Sequence, residues 1–132
     1  MIMKPLSNIK KGAIGEKFTC RFLRRNRYKI TARNMRNKYS EIDIIAENKE
    51  YIVFVEVKTR RNSTSVKPSE SVNIVKQQRI LKAAKYYLSY DNNTDKQPRF
   101  DIAEVTINDK GKCTDINYIE NAFSQGGYYA VF

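Results

Sequence analysis

Histidine is absent from the 132 residues. That excludes every mechanism that needs an imidazole: Ser-His-Asp and Cys-His triads, His-ligated zinc and His-dependent nucleases. Cysteine is scarce, and Cys20 and Cys113 are too few for a tetrahedral zinc site and match no metal-ligand spacing. They read as two reduced thiols of a cytoplasmic protein. The five glycines form neither GxxxxGKS/T nor GxGxxG, so there is no phosphate loop for ATP or a dinucleotide. No apolar run approaches the roughly 18–20 residues of a membrane span. The opening residues lack the hydrophobic stretch of a secretory signal, and with no large Trp- or Leu-rich helix face no membrane partner is expected. Acid is also missing from one region. Residues 1–40 hold twelve Lys and Arg against a single acid, Glu16, and the whole net charge of +11 lies there. Catalysis would have to rest on carboxylates, Lys, Arg, hydroxyls or a hard metal ion.

What is present is enough for a core. Nine Tyr and six Phe, with many Ile and Val, argue against disorder. The length suits one domain over residues 1–132, with a core over about 8–120 and an unplaced aromatic tail at 121–132. Ile14, Phe18, Phe22 and Leu23 form one stripe of an amphipathic helix over Asn8–Asn26. A short extended segment, Tyr28–Asn34, follows. Glu41–Glu47 and Tyr51–Lys58 alternate and are β-branched, which predicts a β-hairpin. Thr59–Glu70 reads as a loop. A second helix over Ser71–Ser89 has an imperfect apolar face of Val72, Val75, Ile80, Ala83, Ala84 and Tyr87. Arg99–Ile107 and Cys113–Ile119 read as strands joined by a turn at Asn108–Gly111. The fold class is α/β, a mixed β-sheet flanked by helices in the order α-β-β-β-α-β-β.

The hairpin carries the chemistry. Centring its loop between Lys49 and Glu50 places Asp43 across from Glu56 and Glu41 across from Lys58, all on one face. The opposite face then receives Ile42, Ile44, Ala46, Val53, Val55 and Val57. A one-residue slip would put acids among those valines, which burial penalises. Opposed like charges repel by roughly 0.2–1 kcal/mol when exposed, and a divalent cation would turn that liability into a site. Two carboxylates, a carbonyl and waters suit Mg²⁺. A solvated face neutralised by Lys58 and Arg60 is an equal reading of the spacing alone. Ile45, Ile52 and Phe54 on the acid face argue that it is partly covered.

Asp43 followed by Glu56-Val57-Lys58 resembles the PD-(D/E)xK motif of the restriction-endonuclease-like superfamily. Around it stand Gly15-Glu16, Phe22-Leu23, Arg33-Asn34, Glu41-Ile42-Asp43, Val53-Phe54-Val55, Arg60, Lys76, Arg79, Arg99-Phe100-Asp101 and Ala122-Phe123. In that order they resemble the YraN-type family of small, largely uncharacterised bacterial proteins, from about residue 12 to residue 123. The resemblance implies a restriction-endonuclease-like fold and phosphodiester hydrolysis with Mg²⁺ or Mn²⁺. It implies Asp43 and Glu56 as metal ligands, with the Val57 carbonyl, and Lys58 as the group that handles the attacking water or the phosphate charge. Glu16 matches the extra acid of Holliday-junction-resolvase-like members, and dimerisation through the aromatic tail is the analogous assembly. Ser40 stands where the family usually has Gly before Glu-Ile-Asp.

The one-sided charge points to a polyanion, read as nucleic acid and by resemblance DNA, branched or nicked. Arg33, Arg36, Arg60, Lys76 and Arg79 are the candidate phosphate contacts. The basic side of the second helix reads equally as a solvated face. A non-catalytic nucleic-acid-binding module is the alternative function. The GAIG tetrapeptide at Gly12–Gly15 reads as helix start, and the tyrosines, Tyr39, Tyr86, Tyr87, Tyr128 and Tyr129 among them, read mainly as packing with base stacking as the alternative.

Overall fold

A computed structural model describes residues 8–61 and 72–124, with side chains from residue 12. The order is α1 (Asn8–Arg25), β1 (Lys29–Arg36), β2 (Glu41–Glu47), β3 (Tyr51–Arg61), α2 (Ile74–Tyr90), β4 (Gln97–Ile107) and β5 (Cys113–Phe123). It matches the α-β-β-β-α-β-β order expected from the sequence. One mixed sheet holds the strands in the order β1-β2-β3-β4-β5, antiparallel except for β3 beside β4. α2 makes the crossover that this parallel pair requires. Among the described residues no helix is long and apolar enough to cross a membrane.

Two cores result, one on each face of the sheet. α1 covers Ile44, Ala46, Val53, Val55, Val57, Ala103, Val105 and Ile107 with Cys20 and Leu23, while Ile14, Phe18 and Phe22 pack at the margin. α2 covers Ile45, Ile52, Phe54, Phe100 and Ile102 with Ile80, Ala83, Ala84 and Tyr87. Being buried on both faces, β3 and β4 are nearly continuous in apolar residues, as central parallel strands are. The Schellman-type end of α1 brings the Tyr28 N–H to the Leu23 carbonyl at 3.0 Å, with Arg27 at φ 69°.

The hairpin has the expected register: Ile44 faces Val55, Ile45 faces Phe54 and Ala46 faces Val53. Its connection is Lys49-Glu50, held by Asn48, whose Oδ1 accepts the N–H groups of Glu50 at 2.9 Å and Tyr51 at 2.7 Å. Four expectations are corrected. Thr59–Arg61 is strand, not loop, because it pairs in parallel with Val105–Ile107. Val75 is 57% exposed. Its expected place in the core goes to Gln77, which buries by donating its amide to the Val72 carbonyl at 2.8 Å. Ile42 packs on the α2 side, not with Ile44, because the β2–β3 ladder ends at Ile44 and only β1 holds the end of β2, through Met35. Ala122 and Phe123, left in an unplaced tail, complete β5 and enter the α2-side core. Most of the expected loop, the start of the second helix at Ser71, and Tyr128 and Tyr129 lie outside the described residues.

Gly15 is where α1 touches the sheet. A Cβ there would overlap Thr59 Oγ1 and stand 3.1 Å from Thr59 Cβ and 3.3 Å from Val57 Cγ1. Gly15→Ala gains about 1 kcal/mol of helix propensity, but overpacking costs about 1–3 kcal/mol, so a net loss is expected in urea denaturation. Thr59 Oγ1 is buried without a hydrogen-bond partner among the described residues. Thr59→Ala should therefore be well tolerated and should recover part of the Gly15→Ala loss.

Candidate active site

The site forms where the hairpin opens. Beyond Ile44 the ladder stops, and the Val57 N–H bonds to the Asp43 carboxylate at 2.8 Å. A side chain thus replaces a strand carbonyl, and β2 splays from β3 at that point. Glu56, only 7% exposed, stays on β3 beside Asp43. Asn73 caps α2 by accepting the Lys76 N–H at 2.9 Å. The first turn so fixed sends Lys76 Nζ to Glu56 Oε1 at 3.1 Å.

Burial first, and then the neighbouring Glu56 carboxylate, push Asp43 up to about 7; the Val57 N–H and Lys76 only partly oppose this. Burial and then the charge of Lys76 depress Lys58, against the pull of Glu56 and Asp43. Burial also works against Lys76, but Glu56 outweighs it and holds the ammonium above its ordinary value. The two lysines therefore differ. Lys76 is the fixed cation, and Lys58 is the more readily neutral amine.

Glu16 comes from α1 toward the same end of the sheet. Burial and then Asp43 raise its carboxyl, while a hydrogen bond from Asn34 and the charge of Arg33 lower it. Arg33 Nη2 lies 3.8 Å from Glu16 Oε1, and Asn34 reaches it from a left-handed conformation at φ 51°. Asp43, Glu56, Lys58 and Glu16 thus gather at one end of the sheet. Yet among the described residues no three acid or thiol groups converge as a metal-binding set. Glu41, expected across from Lys58, instead pairs with Arg36 on β1 at 2.7 Å because β2 has left β3. Lys58 lies level with Glu104 on β4, and Glu104 Oε2 receives Arg60 Nε at 3.4 Å. Of the candidate phosphate contacts, Arg33, Arg36, Arg60 and Lys76 are in ion pairs with site or rim acids, and Arg79 is exposed on α2. Ser40 has no positive φ, so the backbone there does not require a glycine.

Lys76 as the partner of Glu56 was not legible from spacing. The two are 20 residues apart and meet only through the crossover. Arg99 and Asp101 were visible only as part of a family pattern. On β4, level with Val53 and Val55, they form a buried bidentate pair, Nε–Oδ1 2.9 Å and Nη2–Oδ2 2.8 Å. Tyr118 OH donates to Asp101 Oδ2 at 2.6 Å, the Asn121 N–H donates to Oδ1 at 2.9 Å, and Arg99 donates to Tyr28 OH at 2.7 Å.

Fold and site define a small mixed α/β protein in which Asp43 of β2 meets Glu56 and Lys58 of β3, with Glu56 buried. The chain belongs to Uncharacterised protein family UPF0102, which it matches over residues 15–105. It is 44% identical over 122 residues to a UPF0102 protein of Caldanaerobacter subterraneus subsp. tengcongensis, covering 92% of this chain and 100% of the relative. A UPF0102 protein of Clostridium acetobutylicum is 43% identical over 116 residues, covering 88% and 95%. One from Dictyoglomus thermophilum is 40% identical over 118 residues, covering 89% and 100%. None of these names states an activity.

Proposed function

We propose that this protein is a restriction-endonuclease-like, Mg²⁺-dependent nuclease that hydrolyses phosphodiesters of DNA, branched or nicked. The observation that carries the reading is the Asp43–Glu56 pair, two carboxylates held together in a buried place with Lys58 two residues along the same strand. Burial and then the neighbouring Glu56 carboxylate raise Asp43, a cost that a divalent cation would relieve. The donor set fits a hard divalent ion: the Asp43 and Glu56 carboxylates, with the Val57 carbonyl and waters, would hold it. Bound there, Mg²⁺ or Mn²⁺ supplies Lewis-acid polarisation of the phosphate and lowers the proton affinity of a water.

The protein's own part follows from positions. Lys58, depressed toward the neutral amine, takes the proton of the attacking water as its oxygen bonds to phosphorus. The bond from phosphorus to the leaving sugar oxygen breaks, and that oxygen takes a proton from solvent. Lys76 pairs with Glu56 and orients it, and Glu16 adds a carboxylate at the edge. The exposed Lys17, Arg21, Arg24, Arg25 and Arg27 around α1 supply a phosphate-binding surface. The matching compartment is the cytoplasm. A homodimer would bring two such sites to two strands.

The test is cleavage of duplex, nicked, flap and four-way DNA with Mg²⁺ by wild type, Asp43→Ala, Glu56→Ala and Lys58→Ala. Each substitution should lower the rate at least ~100-fold while salt-sensitive DNA binding survives. Metal-dependent cutting that persists in all three variants sinks the assignment. A second reading, a binding module of the same fold without turnover, draws on Lys76, whose ammonium already neutralises Glu56. It is the outcome if wild type binds every substrate and cuts none.

A further inference from the structure

A second basic surface lies outside the acid site, where the Asn37–Ser40 turn meets α2. Asn37 Nδ2 donates to the Ala83 carbonyl at 3.0 Å, and Asn37 Oδ1 accepts the Tyr39 N–H at 3.0 Å. The turn is thereby fixed against the helix. The open cleft between them, about 440 Å³, is lined by Lys38, Lys82 and Lys85 and by Tyr39, Tyr86 and Tyr90, with no acid.

None of these three tyrosines belongs to either hydrophobic core, whereas Tyr87, one residue along, does. Tyr39 is 40% and Tyr90 75% exposed. The rings form a short ladder, Tyr86 4.7 Å from Tyr90 and 6.0 Å from Tyr39 between centroids. Lys38 Nζ lies 5.2 Å from the Tyr39 ring centre and 5.3 Å from that of Tyr86. Neither Lys82 nor Lys85 has an ion-pair partner among the described residues. Neither core accounts for the exposure of these rings or for the lysines beside them. The cleft offers flat π faces beside unneutralised cations, which is how proteins grip a single strand: bases stack on aromatics while phosphates meet Lys and Arg. A duplex hides its base faces, so the rings would be of no use to it. An acidic protein would satisfy the lysines but not the exposed rings.

We infer that this cleft is a docking subsite for unpaired nucleotides, with bases stacked on Tyr39 and Tyr90 and phosphates along Lys82 and Lys85. Lys82 and Tyr90 lie six and fourteen residues beyond Lys76 on α2, about 9 and 21 Å along the axis. Tyr39 precedes Asp43 by four residues. The subsite therefore shares α2 with Lys76, the partner of Glu56, and leads into β2, which carries Asp43. It narrows the substrate class to nucleic acid with a single-stranded segment, and it rests on the nucleic-acid part of the proposed function but not on catalysis.

The test is fluorescence anisotropy in EDTA, where no cleavage occurs, with labelled strands of about 15 nucleotides. The probes are oligo-dT, oligo-U, an abasic strand and a duplex. The proteins are wild type, the pair Tyr39→Ala/Tyr90→Ala, the pair Tyr39→Phe/Tyr90→Phe, and Lys82→Ala/Lys85→Ala. Both tyrosines are exposed, so melting temperatures should stay at the wild-type value and report that the variants are folded. The alanine pair should bind single strands about 10–100-fold more weakly, lose no more than about twofold on duplex, and be rescued in the phenylalanine pair. The lysine pair should weaken binding and reduce the salt slope by about 1–2. Whichever of oligo-dT and oligo-U binds more tightly names the source of the strand. Equal binding of the abasic strand, an equal loss on duplex, or unchanged binding by the alanine pair overturns the subsite. A protein that grips single strands through these rings but cuts nothing refutes the nuclease reading alone. One that cuts duplex regardless of them refutes the subsite alone.

Discussion

Asp43→Asn is expected to stabilise the metal-free protein at pH 8 by about 2–3 kcal/mol while abolishing the proposed Mg²⁺-dependent cleavage. The unfolded carboxyl titrates near 3.8 and the folded one at about 7. Between those values the native state binds more protons than the unfolded chain, so stability falls as pH rises through this window. It is fully present below the lower value, and above the upper one the whole penalty remains. Asparagine removes the charge and keeps an amide oxygen for the Val57 N–H. Melting in EDTA should show the wild type declining from pH 4 to pH 8 relative to the variant. The gap at pH 8 should be on the order of 6–12 °C. Added Mg²⁺ should raise the melting temperature of wild type and leave the variant unmoved. A variant less stable than wild type at pH 8 in EDTA would contradict the burial and repulsion that the site is built on.

The other large effect lies in the Arg99–Asp101 pair on β4. Asp101→Ala should cost about 3–5 kcal/mol, because it strands the buried Arg99 charge. Asp101 is fully buried and also accepts from Tyr118 OH and the Asn121 N–H. Arg99 would retain Tyr28 and the largely exposed Glu120, at 3.4 Å, and its guanidinium would still lie over the Tyr51 ring at 4.6 Å. These contacts do not replace a bidentate carboxylate. A domain of this size has a net stability of about 5–15 kcal/mol, so the variant should unfold at markedly lower urea or fail to accumulate. Replacing both partners by apolar residues is often harmless for an isolated ion pair. Here Arg99→Met/Asp101→Leu should remain destabilised, because two partly buried donors that Asp101 satisfied, the Tyr118 hydroxyl and the Asn121 N–H, would lose their acceptor.

How far the sequence could be read depended on what kind of interaction decided each feature. The hairpin register was legible because only one pairing buries Val53, Val55 and Val57 together with Ile44 and Ala46. The candidate acids followed from that register. The end of the ladder was not legible. It is set by one carboxylate taking one strand N–H, Asp43 to Val57, and no hydrophobic period records such a bond. Ile42 and Glu41 were misplaced for that reason alone. Thr59–Arg61 looked like loop because its polarity suits a surface, whereas its partners on β4 hold it in the sheet. Lys76 and the Arg99–Asp101 network depend on contacts between elements distant in sequence, which a pattern along one segment does not specify. The twelve cations of the first third of the chain suggested a polyanion. The lysines of α2 and of the turn before β2 add a second place where such a strand would lie.

The most direct test of the central claim is a count of Mn²⁺ bound to the metal-free protein, read by the loss of the free-ion paramagnetic resonance signal. Asp43 and Glu56 as ligands require a site in wild type that Mg²⁺ displaces and that is lost in both Asp43→Asn and Glu56→Gln. Binding that survives in both variants, or no binding by wild type, would contradict it.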